Sequence, residues 1–483
     1  MKNKLKVNVL FSSILALSSM IFPIITFPYV SRILLPEGMG KVSFATSTIA
    51  YFIMFCMLGI PTYGVRECSK VREDKDKLSK LVHELFLINI GLFIISYIVF
   101  CVLVLNMNKF NGQKLLMFVM SSGMILNVLG FEWVYKSLEC YDYITVRTIL
   151  FKIIGLIMMF ALVHDMNDYV IYGAIVIISS YGSYIMNAIH LRKYIYIKRY
   201  EHYEIKKHLK PILVFFASSV AISIYTNLDV VMLGYLCTDT EVGLYNAAIK
   251  IKAIVSTILS APAVVFLPRM TIYAKNKDYT NFKKQARLVV NMVSMVAIPA
   301  AIFFILYAPE TISILSGSQY QKAIPMMQII MPASIFISIS GILGNQLLNA
   351  LGKEKWIFNS VCFAAILDLI LNILLIPKFG GNGAAFSTML AEFVVFLVQI
   401  IYLQKLKFNP VSGKYFIHIL CGSLVAALVI YFMKNIFYSG FDMVNLGLGF
   451  CVYSVIYLMY LLITKDESFK ILIAEFVGMI RRK

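Results

Sequence analysis

The sequence has few charged residues, and it lacks the short motifs that identify most ATP-driven and hydrolytic proteins. Of its 483 residues only 14% are charged and 60% are hydrophobic, whereas soluble domains have about 25% and about 45–50%. No G-x-x-x-x-G-K-[ST] loop is present, so the chain encodes no P-loop ATPase site of its own. Neither H-E-x-x-H nor G-x-S-x-G occurs, which argues against zinc peptidases and α/β-hydrolases.

Paired cysteine motifs are absent as well. The eight cysteines include no C-x-x-C pair, so neither a zinc site nor a disulfide framework is predicted. The six histidines are scattered along the chain, and His202 and His208 fall in a stretch rich in charge. We expect these two histidines to be solvated in a loop rather than catalytic. We therefore predict no metal site and no cofactor.

The sequence contains many long apolar segments. The mean hydropathy is +0.81, and a helix needs about 20 mostly apolar residues to cross a bilayer. We therefore predict an all-α polytopic membrane protein with about 14 transmembrane helices. The predicted spans are 10–33, 44–61, 84–105, 115–137, 147–163, 170–190, 211–235, 246–267, 288–308, 323–350, 356–376, 383–404, 415–434 and 443–463.

The basic residues are divided unevenly between the two sides of these spans. The net charge is +19, and 35 of the 44 lysines and arginines fall in one alternate set of loops, against seven in the other set. Arg147 is counted among the loop residues of the larger set. Short cytoplasmic loops of membrane proteins carry such an excess. We therefore predict that both termini are cytoplasmic, and we attribute the charge to topology and to membrane lipids rather than to nucleic acid.

A weak internal repeat follows three of the spans. The segments are "GMGKVSFATS" (38–47), "EVGLYNAAIK" (241–250) and "GGNGAAFSTM" (380–389). Aligning Gly40 with Gly243 places small residues at the start of a helix in both halves, and small residues let helices approach closely in lipid. Parallel six-helix repeats occur in secondary transporters. We predict an N-terminal lobe at 1–205, a pseudo-symmetric C-terminal lobe at 206–408, and two further helices with a cytoplasmic tail at 409–483.

Several ionisable residues fall inside the predicted spans, where such groups usually face a protein interior or a wet cavity. Lys250 and Lys252 are about 200° apart around the eighth span, so one can line a cavity while the other extends toward the interface. Asp229 lies at a similar depth on the seventh span, so Lys250 either forms a structural pair with it or binds an anion. Three further acids are candidates for charge pairs or for coupling to an ion: Glu132, Asp368 and Glu392.

Five blocks of the sequence match a known family in content and in order. They are "FPYVSRILLPEGMGKVSFA" (27–45), "LGIPTYGVRECSKVR" (58–72), "FEWVYKSLECYDYITVRTILFKI" (131–153), "YTNLDVVMLG" (225–234) and "LNILLIPKFGGNGAAFSTMLAE" (371–392). These blocks resemble the Wzx-type polysaccharide flippases, the exporters of O-antigen and capsule repeat units. That family belongs to the multidrug/oligosaccharidyl-lipid/polysaccharide (MOP) superfamily, and the likeness extends from the first to the twelfth span.

The resemblance implies a fold and an activity. It implies two lobes around a central cavity, in a MATE-like arrangement within the bacterial cytoplasmic (inner) membrane. The expected activity is movement of undecaprenyl-pyrophosphate-linked oligosaccharide repeat units by alternating access, without enzymatic chemistry and with H⁺ or Na⁺ as the candidate coupling ion. The partners implied are a polysaccharide polymerase and a chain-length regulator.

The resemblance also implies site residues. In the family a cationic cavity is thought to hold the pyrophosphate, and Arg32, Arg66 and Lys250 match the family's basic positions. Lys252 joins them as a neighbouring cation, although it matches no family position. Asp229 matches the acid of the seventh helix.

Three other functions remain open. A cation-coupled multidrug exporter of the same superfamily predicts drug-resistance phenotypes and an acid-rich binding site. A membrane-embedded polysaccharide polymerase or ligase needs a large outer loop with paired arginine or histidine, which the predicted topology lacks. A non-transporting scaffold of a biosynthetic complex would leave the leaflet distribution of the lipid-linked sugar unchanged when the gene is deleted.

Overall fold

In a computed structural model the protein is helical over most of the residues that the structure describes, 2–260, 266–436 and 440–471. By its internal contacts the chain divides into two units, Met1–Gly243 and Leu244–Lys483. The helices described in the first unit are α1 (Lys2–Met57), α2 (Ile60–Val71), α3 (Lys75–Asn106), α4 (Lys114–Leu129), α5 (Glu132–Ser137), α6 (Tyr141–Leu162), α7 (Tyr169–Ile177), α8 (Ser183–His190) and α9 (Ile205–Leu236).

The next helix begins with the last residues of the first unit and continues into the second. The remaining described helices are α10 (Asp239–Ser260), α11 (Leu267–Lys275), α12 (Tyr279–Leu306), α13 (Ala308–Leu315), α14 (Ala323–Ile330), α15 (Ala333–Gly341), α16 (Glu354–Lys405), α17 (Gly413–Ile436) and α18 (Asp442–Ile463). Contacts assign α9 to the first unit and α17 and α18 to the second. The lobe boundaries at residues 205 and 408 concern the sequence repeat, and they stay a prediction.

Two helices are about twice as long as a bilayer requires. α1 has 56 residues and α16 has 52, which is about 80 Å at 1.5 Å per residue, against a hydrocarbon thickness of about 30 Å. Each contains one non-helical residue, Leu35 (φ 56°, ψ 174°) in α1 and Gly380 (φ 54°, ψ −132°) in α16. Pro36 disfavours helical geometry at Leu35, and glycine accepts a positive φ at little steric cost. Each long helix therefore contains two predicted spans joined by a one-residue break.

The two arms of α16 pack side by side. The Gln399 side-chain amide donates a hydrogen bond to the Ser360 hydroxyl at 3.3 Å, and these residues are almost equally distant from the break at Gly380. A Cβ added to Gly383 would lie 2.6 Å from the carbonyl oxygen of Leu375. The arms therefore form an antiparallel helical hairpin with a minimal turn.

The positions of the predicted spans agree with the described helices. Eleven helical segments in the described part of the chain are long and apolar enough to cross a bilayer, and two of them contain the double-length helices. The seventh predicted span corresponds to the 32-residue α9. Residues 261–265 of the eighth predicted span, including Pro262, lie outside the described residues, as does the tail from 472 onward. The prediction of an all-α polytopic fold is confirmed.

Three helices begin six to nine residues before their predicted starts, at Lys75, Tyr141 and Ile205. The apolar pattern does not include the polar first turns of these helices. The start of α3 nevertheless has a clear N-cap: the Asp74 carboxylate accepts hydrogen bonds from the backbone N–H groups of Asp76 and Lys77, both at 3.1 Å. One prediction was wrong because of these polar first turns: His208, expected to be solvated in a loop, lies within α9 and is buried. Arg147, the first residue of the predicted span 147–163, lies within α6 and is buried as well.

Apolar side chains cover much of the surface of the helices. Along the first arm of α1 an exposed stripe recurs at helical spacing, formed by Leu10, Ile14, Leu17, Ile21 and Ile25. Such a continuous apolar surface is unfavourable in water and suits contact with hydrocarbon. The stripe therefore supports a membrane-spanning role for this arm.

In the second unit, α17 and α18 share an apolar core with α12. The Tyr457 hydroxyl donates a hydrogen bond to the Met295 carbonyl at 2.8 Å, which joins α18 to α12. The Tyr453 hydroxyl donates to the Ser423 carbonyl at 3.3 Å and joins α18 to α17. The two final helices are thus packed into this unit.

The two glycines aligned by the repeat lie at one close helix crossing in the first unit. A Cβ added to Gly40 would be 1.7 Å from the carbonyl oxygen of Asp239, and a Cβ on Gly243 would be 1.8 Å from that of Pro36. Neither position has room for a side chain. The Gln113 amide also donates to the Asp239 carboxylate at 2.6 Å, which fixes the same crossing.

Candidate functional site

Arg66 lies on α2, the short helix that follows α1. Its side chain is 61% exposed, and its Nε lies 3.2 Å from the Glu67 carboxylate. The guanidinium carbon lies 5.9 Å from the centre of the Phe215 ring on α9. Exposed ion pairs contribute only about 0–1 kcal/mol, and a guanidinium has five N–H donors. Arg66 therefore keeps donors that can bind an anion.

Arg32 lies on α1, three residues before the break at Leu35. Its side chain is exposed, and Nη1 donates a hydrogen bond to the Pro28 carbonyl at 2.6 Å. Pro36 has no backbone N–H, so the carbonyl of Arg32, one turn earlier, does not receive the usual helical hydrogen bond from this position. The structure thus has an exposed cation beside a helix break, while its role in binding stays a prediction.

Lys250 and Lys252 lie on α10, and both are partly buried. The orientation of this helix is fixed by a buried hydrogen bond of 2.8 Å between the Tyr245 and Thr388 hydroxyls. Lys252 is seven residues after Tyr245, so it lies on the same side of α10, whereas Lys250 is about 140° away. The two lysines therefore face different surroundings.

The predicted acids of the second unit lie on the two arms of α16. Asp368 and Glu392 are buried, and the buried amide of Asn372 lies one turn after Asp368 on the same face. In the first unit Asp229 is buried on α9. These acids are therefore removed from the lipid-exposed surface, and their coupling to an ion stays a prediction.

Glu132 forms a charge pair with a cation that the sequence analysis assigned to a loop. Its carboxylate lies 2.7 Å from Lys136 Nζ and 3.6 Å from Arg147 Nη2. Arg147 is 2% exposed, donates to the Ser183 hydroxyl at 2.5 Å, and lies 5.2 Å from the Tyr184 ring. Burial of an uncompensated charge costs several kcal/mol, so Glu132 stabilises this arginine.

A second buried titratable group was also missed. His208, on the first turn of α9, lies between the Glu84 carboxylate of α3 and the Tyr63 hydroxyl of α2, and all three side chains are buried. The signal that could have found this cluster is the cap at Asp74. Starting α3 there places Glu84 more than two turns inside a helix, where a carboxylate needs a partner.

Comparisons with known proteins find two matching families and several similar proteins. The profile of the family described as "Polysaccharide biosynthesis protein" matches residues 5–274, more than half of the chain. A second family, described as MatE, matches residues 215–374. The chain is 24% identical over 414 residues to a putative O-antigen transporter of Escherichia coli K12, covering 84% of this chain and 98% of that protein. It is 26% identical over 261 residues to a probable low-salt glycan biosynthesis flippase of Haloferax volcanii, covering 53% and 54%.

A solved structure has a similar fold. The structure of a lipid II flippase, MurJ, in an inward closed conformation matches with a TM-score of 0.76. The match covers 95% of this chain and 99% of that one at 17% sequence identity. This chain therefore shares the fold of that flippase over nearly its whole length.

Proposed function

Because the chain belongs to the polysaccharide biosynthesis protein family, we propose that it is a flippase for lipid-linked oligosaccharides. The observation that carries this proposal is the match to 98% of the length of a putative O-antigen transporter. The five blocks that resemble Wzx-type flippases support the same activity. The chain has no P-loop motif, so alternating access is driven by an ion gradient, the membrane potential or removal of the product.

The proposed cargo is an undecaprenyl-pyrophosphate-linked repeat unit for O-antigen, capsule or exopolysaccharide. Arg32, Arg66, Lys250 and Lys252 are the proposed cations for its pyrophosphate, because guanidinium groups bind phosphate oxygens in pairs and lysine supplies a point charge. A lysine at membrane depth costs about 2.5–3.5 kcal/mol, and a polyanionic headgroup offsets that cost. Coupling to H⁺ or Na⁺ is assigned to Asp229, Asp368 and Glu392 as part of the same proposal.

The proposed setting is the bacterial cytoplasmic membrane, with both termini in the cytoplasm. The uneven distribution of lysine and arginine supports this orientation. A polymerase and a chain-length regulator are the proposed partners, because the flipped repeat unit is the substrate for chain growth.

Deletion of the gene tests the proposal. We expect the deletion strain to lose its surface polysaccharide and to accumulate lipid-linked repeat units accessible only from the cytoplasmic leaflet. A plasmid copy of the wild-type gene should restore both. Normal leaflet distribution of the lipid-linked sugar in the deletion strain would favour the scaffold instead.

The second candidate is a cation-coupled multidrug exporter, which the MatE match over residues 215–374 favours. That function predicts that deletion sensitises cells to cationic dyes and antibiotics while the surface polysaccharide is unchanged. A polymerase, in contrast, predicts single repeat units at the cell surface of the deletion strain. The three outcomes are distinguishable in one set of strains.

A further inference from the structure

Three buried side chains from three helices of the first unit form a continuous hydrogen-bonded chain. The Tyr63 hydroxyl of α2 lies 2.7 Å from His208 Nδ1 on α9, and His208 Nε2 lies 2.8 Å from Glu84 Oε2 on α3. The three residues are 6%, 2% and 1% exposed, respectively. Low local dielectric strengthens such hydrogen bonds and makes an unpaired charge costly. The charge on the imidazole therefore matters to the packing of all three helices.

Glu84 holds the beginning of α9 at two points. Its Oε1 accepts a hydrogen bond from the backbone N–H of Glu204 at 2.8 Å, immediately before the helix, while Oε2 bonds His208 one turn later. The first N–H groups of a helix have no partner within the helix, so this carboxylate also serves as an external cap for the segment. Two hydrogen bonds of one carboxylate thus join the start of α9 to α3.

The other nearby charges do not replace the imidazole as the partner of Glu84. Lys207 Nζ is 3.8 Å from Glu84 Oε2, but it hydrogen-bonds the carboxylate of Glu204. This contact holds the pKa of Glu204 below its ordinary value. The remaining charged groups around the chain are Arg66 and Glu67, which flank Tyr63, and Lys80, which is near Glu204.

We propose that His208 is a proton-binding site whose charge sets how firmly the start of α9 is held against α2 and α3. With the imidazole protonated, the buried pair with Glu84 is neutral overall. When the proton leaves, Glu84 keeps its hydrogen bonds but loses the cation in direct contact with it. Histidine is the side chain that ordinarily changes charge between about pH 5 and 8. The attachment of α9 is therefore firmer at pH 6 than at pH 8.

This site is independent of the cargo, because it concerns only the proton chemistry of this chain. If the flippase proposal also holds, the site lies close to one proposed headgroup cation, Arg66, which follows Tyr63 by three residues, about one turn of α2. Tyr63 and Arg66 both approach the Phe215 ring of α9, at 6.3 Å and 5.9 Å. Proton binding and headgroup binding would then act on the same pair of helices.

Hydrogen exchange of the full-length protein in lipid nanodiscs tests the proposal without any substrate. After correction for the intrinsic pH dependence of exchange, we expect amides in 205–215 to exchange about tenfold more slowly at pH 6 than at pH 8. His208→Gln should remove this difference. His202→Gln is the matched control, because His202 is an exposed histidine six residues earlier, and it should preserve the difference. An equal rate at both pH values in the wild-type protein would overturn the proposal.

A second variant, Glu84→Gln, keeps the proposal testable if His208→Gln does not fold. Glu84→Gln keeps the shape of the side chain and an oxygen that can accept the Glu204 N–H, but it removes the charge. Exchange in α12, in the second unit, reports whether each variant is folded. With α12 protected normally, Glu84→Gln should also abolish the pH dependence in 205–215, and persistence of that dependence would refute the pairing with Glu84.

Discussion

At the scale of single residues, burial separates the structural charges from the candidate binding charges. Arg147 is 2% exposed and is surrounded by Glu132, Ser183 and an aromatic ring, so its charge is compensated within the protein and is not exposed to a ligand. Arg66 is 61% exposed, and its ion pair with Glu67 is a weak one. The sequence could not make this distinction, because both residues are arginines close to a predicted inner interface.

Substitution of Lys250 tests the proposed cation at membrane depth. We expect Lys250→Ala to abolish surface polysaccharide at a normal protein level, because the headgroup loses a buried countercharge, while Lys250→Arg retains part of it. The measurement is surface polysaccharide in a deletion strain, normalised to protein by immunoblot. Lys355→Ala, at an exposed lysine in the first turn of α16, is the control. Full polysaccharide with Lys250→Ala would contradict the binding role.

The Glu132–Arg147 pair predicts an order of stability. Removing one partner of a buried pair costs about 3–5 kcal/mol, whereas removing one partner of an exposed pair costs about 0–1 kcal/mol. Glu132→Gln should therefore lower the melting temperature in detergent more than Lys136→Gln, because Lys136 is 43% exposed. Equal melting temperatures for the two variants would mean that Arg147 does not depend on Glu132.

At the scale of helices, the apolar runs predict where the spans are, but not where they begin. The start of α6 lies six residues before its prediction because Tyr141 to Arg147 mixes polar and apolar residues. The same six-residue error on α9 hid His208. Pattern alone excludes charged residues from a span, yet a carboxylate partner such as Glu84 or Glu132 stabilises a buried histidine or arginine there. The pairing partners are far apart in sequence, so only the fold reveals them.

The sequence partly predicted the close helix crossing at Gly40 and Gly243. The alignment of Gly40 with Gly243 predicts small residues at repeated helix starts, and the structure has these two glycines against backbone carbonyl oxygens at one crossing. The direct contact of each glycine with the backbone of the other segment could not be predicted. The alignment shows that the two positions correspond in the repeat, but it does not show that they are close in space.

Gly243→Ala should disrupt this crossing. The added Cβ would lie 1.8 Å from the Pro36 carbonyl oxygen, and backbone atoms cannot move aside cheaply. We expect a lower yield and a lower melting temperature. Gly91→Ala on α3 is the control, because its Cβ would meet nothing within 4 Å and alanine favours a helix. Similar behaviour of the two variants would show that the crossing tolerates separation.

At the scale of the whole molecule, composition predicts the class and the resemblance predicts the family. The low charge content alone indicates a membrane protein, and the five blocks indicate a flippase family that the profile match over 5–274 supports. The proposed cargo and coupling ion rest on a few side chains in each unit. No periodicity encodes them, so they remain proposals.

Labelling of single cysteines tests the predicted orientation of the whole chain. In a cysteine-free variant, Asn167→Cys lies in a predicted outer loop and Asn276→Cys in a predicted inner one. We expect a membrane-impermeant maleimide to label position 167 in intact cells and position 276 only after permeabilisation. The reverse pattern would place both termini outside and overturn the assignment made from the basic loops.

The hairpin of α16 has a consequence for biosynthesis. Its arms meet at Gly380 with only a one-residue break between them, so the 52 residues of the hairpin reach the translocon as one continuous segment. While the ribosome is still adding the second arm, Ser360 lacks Gln399 as its partner. We therefore expect the second arm to stabilise the first, so that the two arms insert into the lipid together as a hairpin.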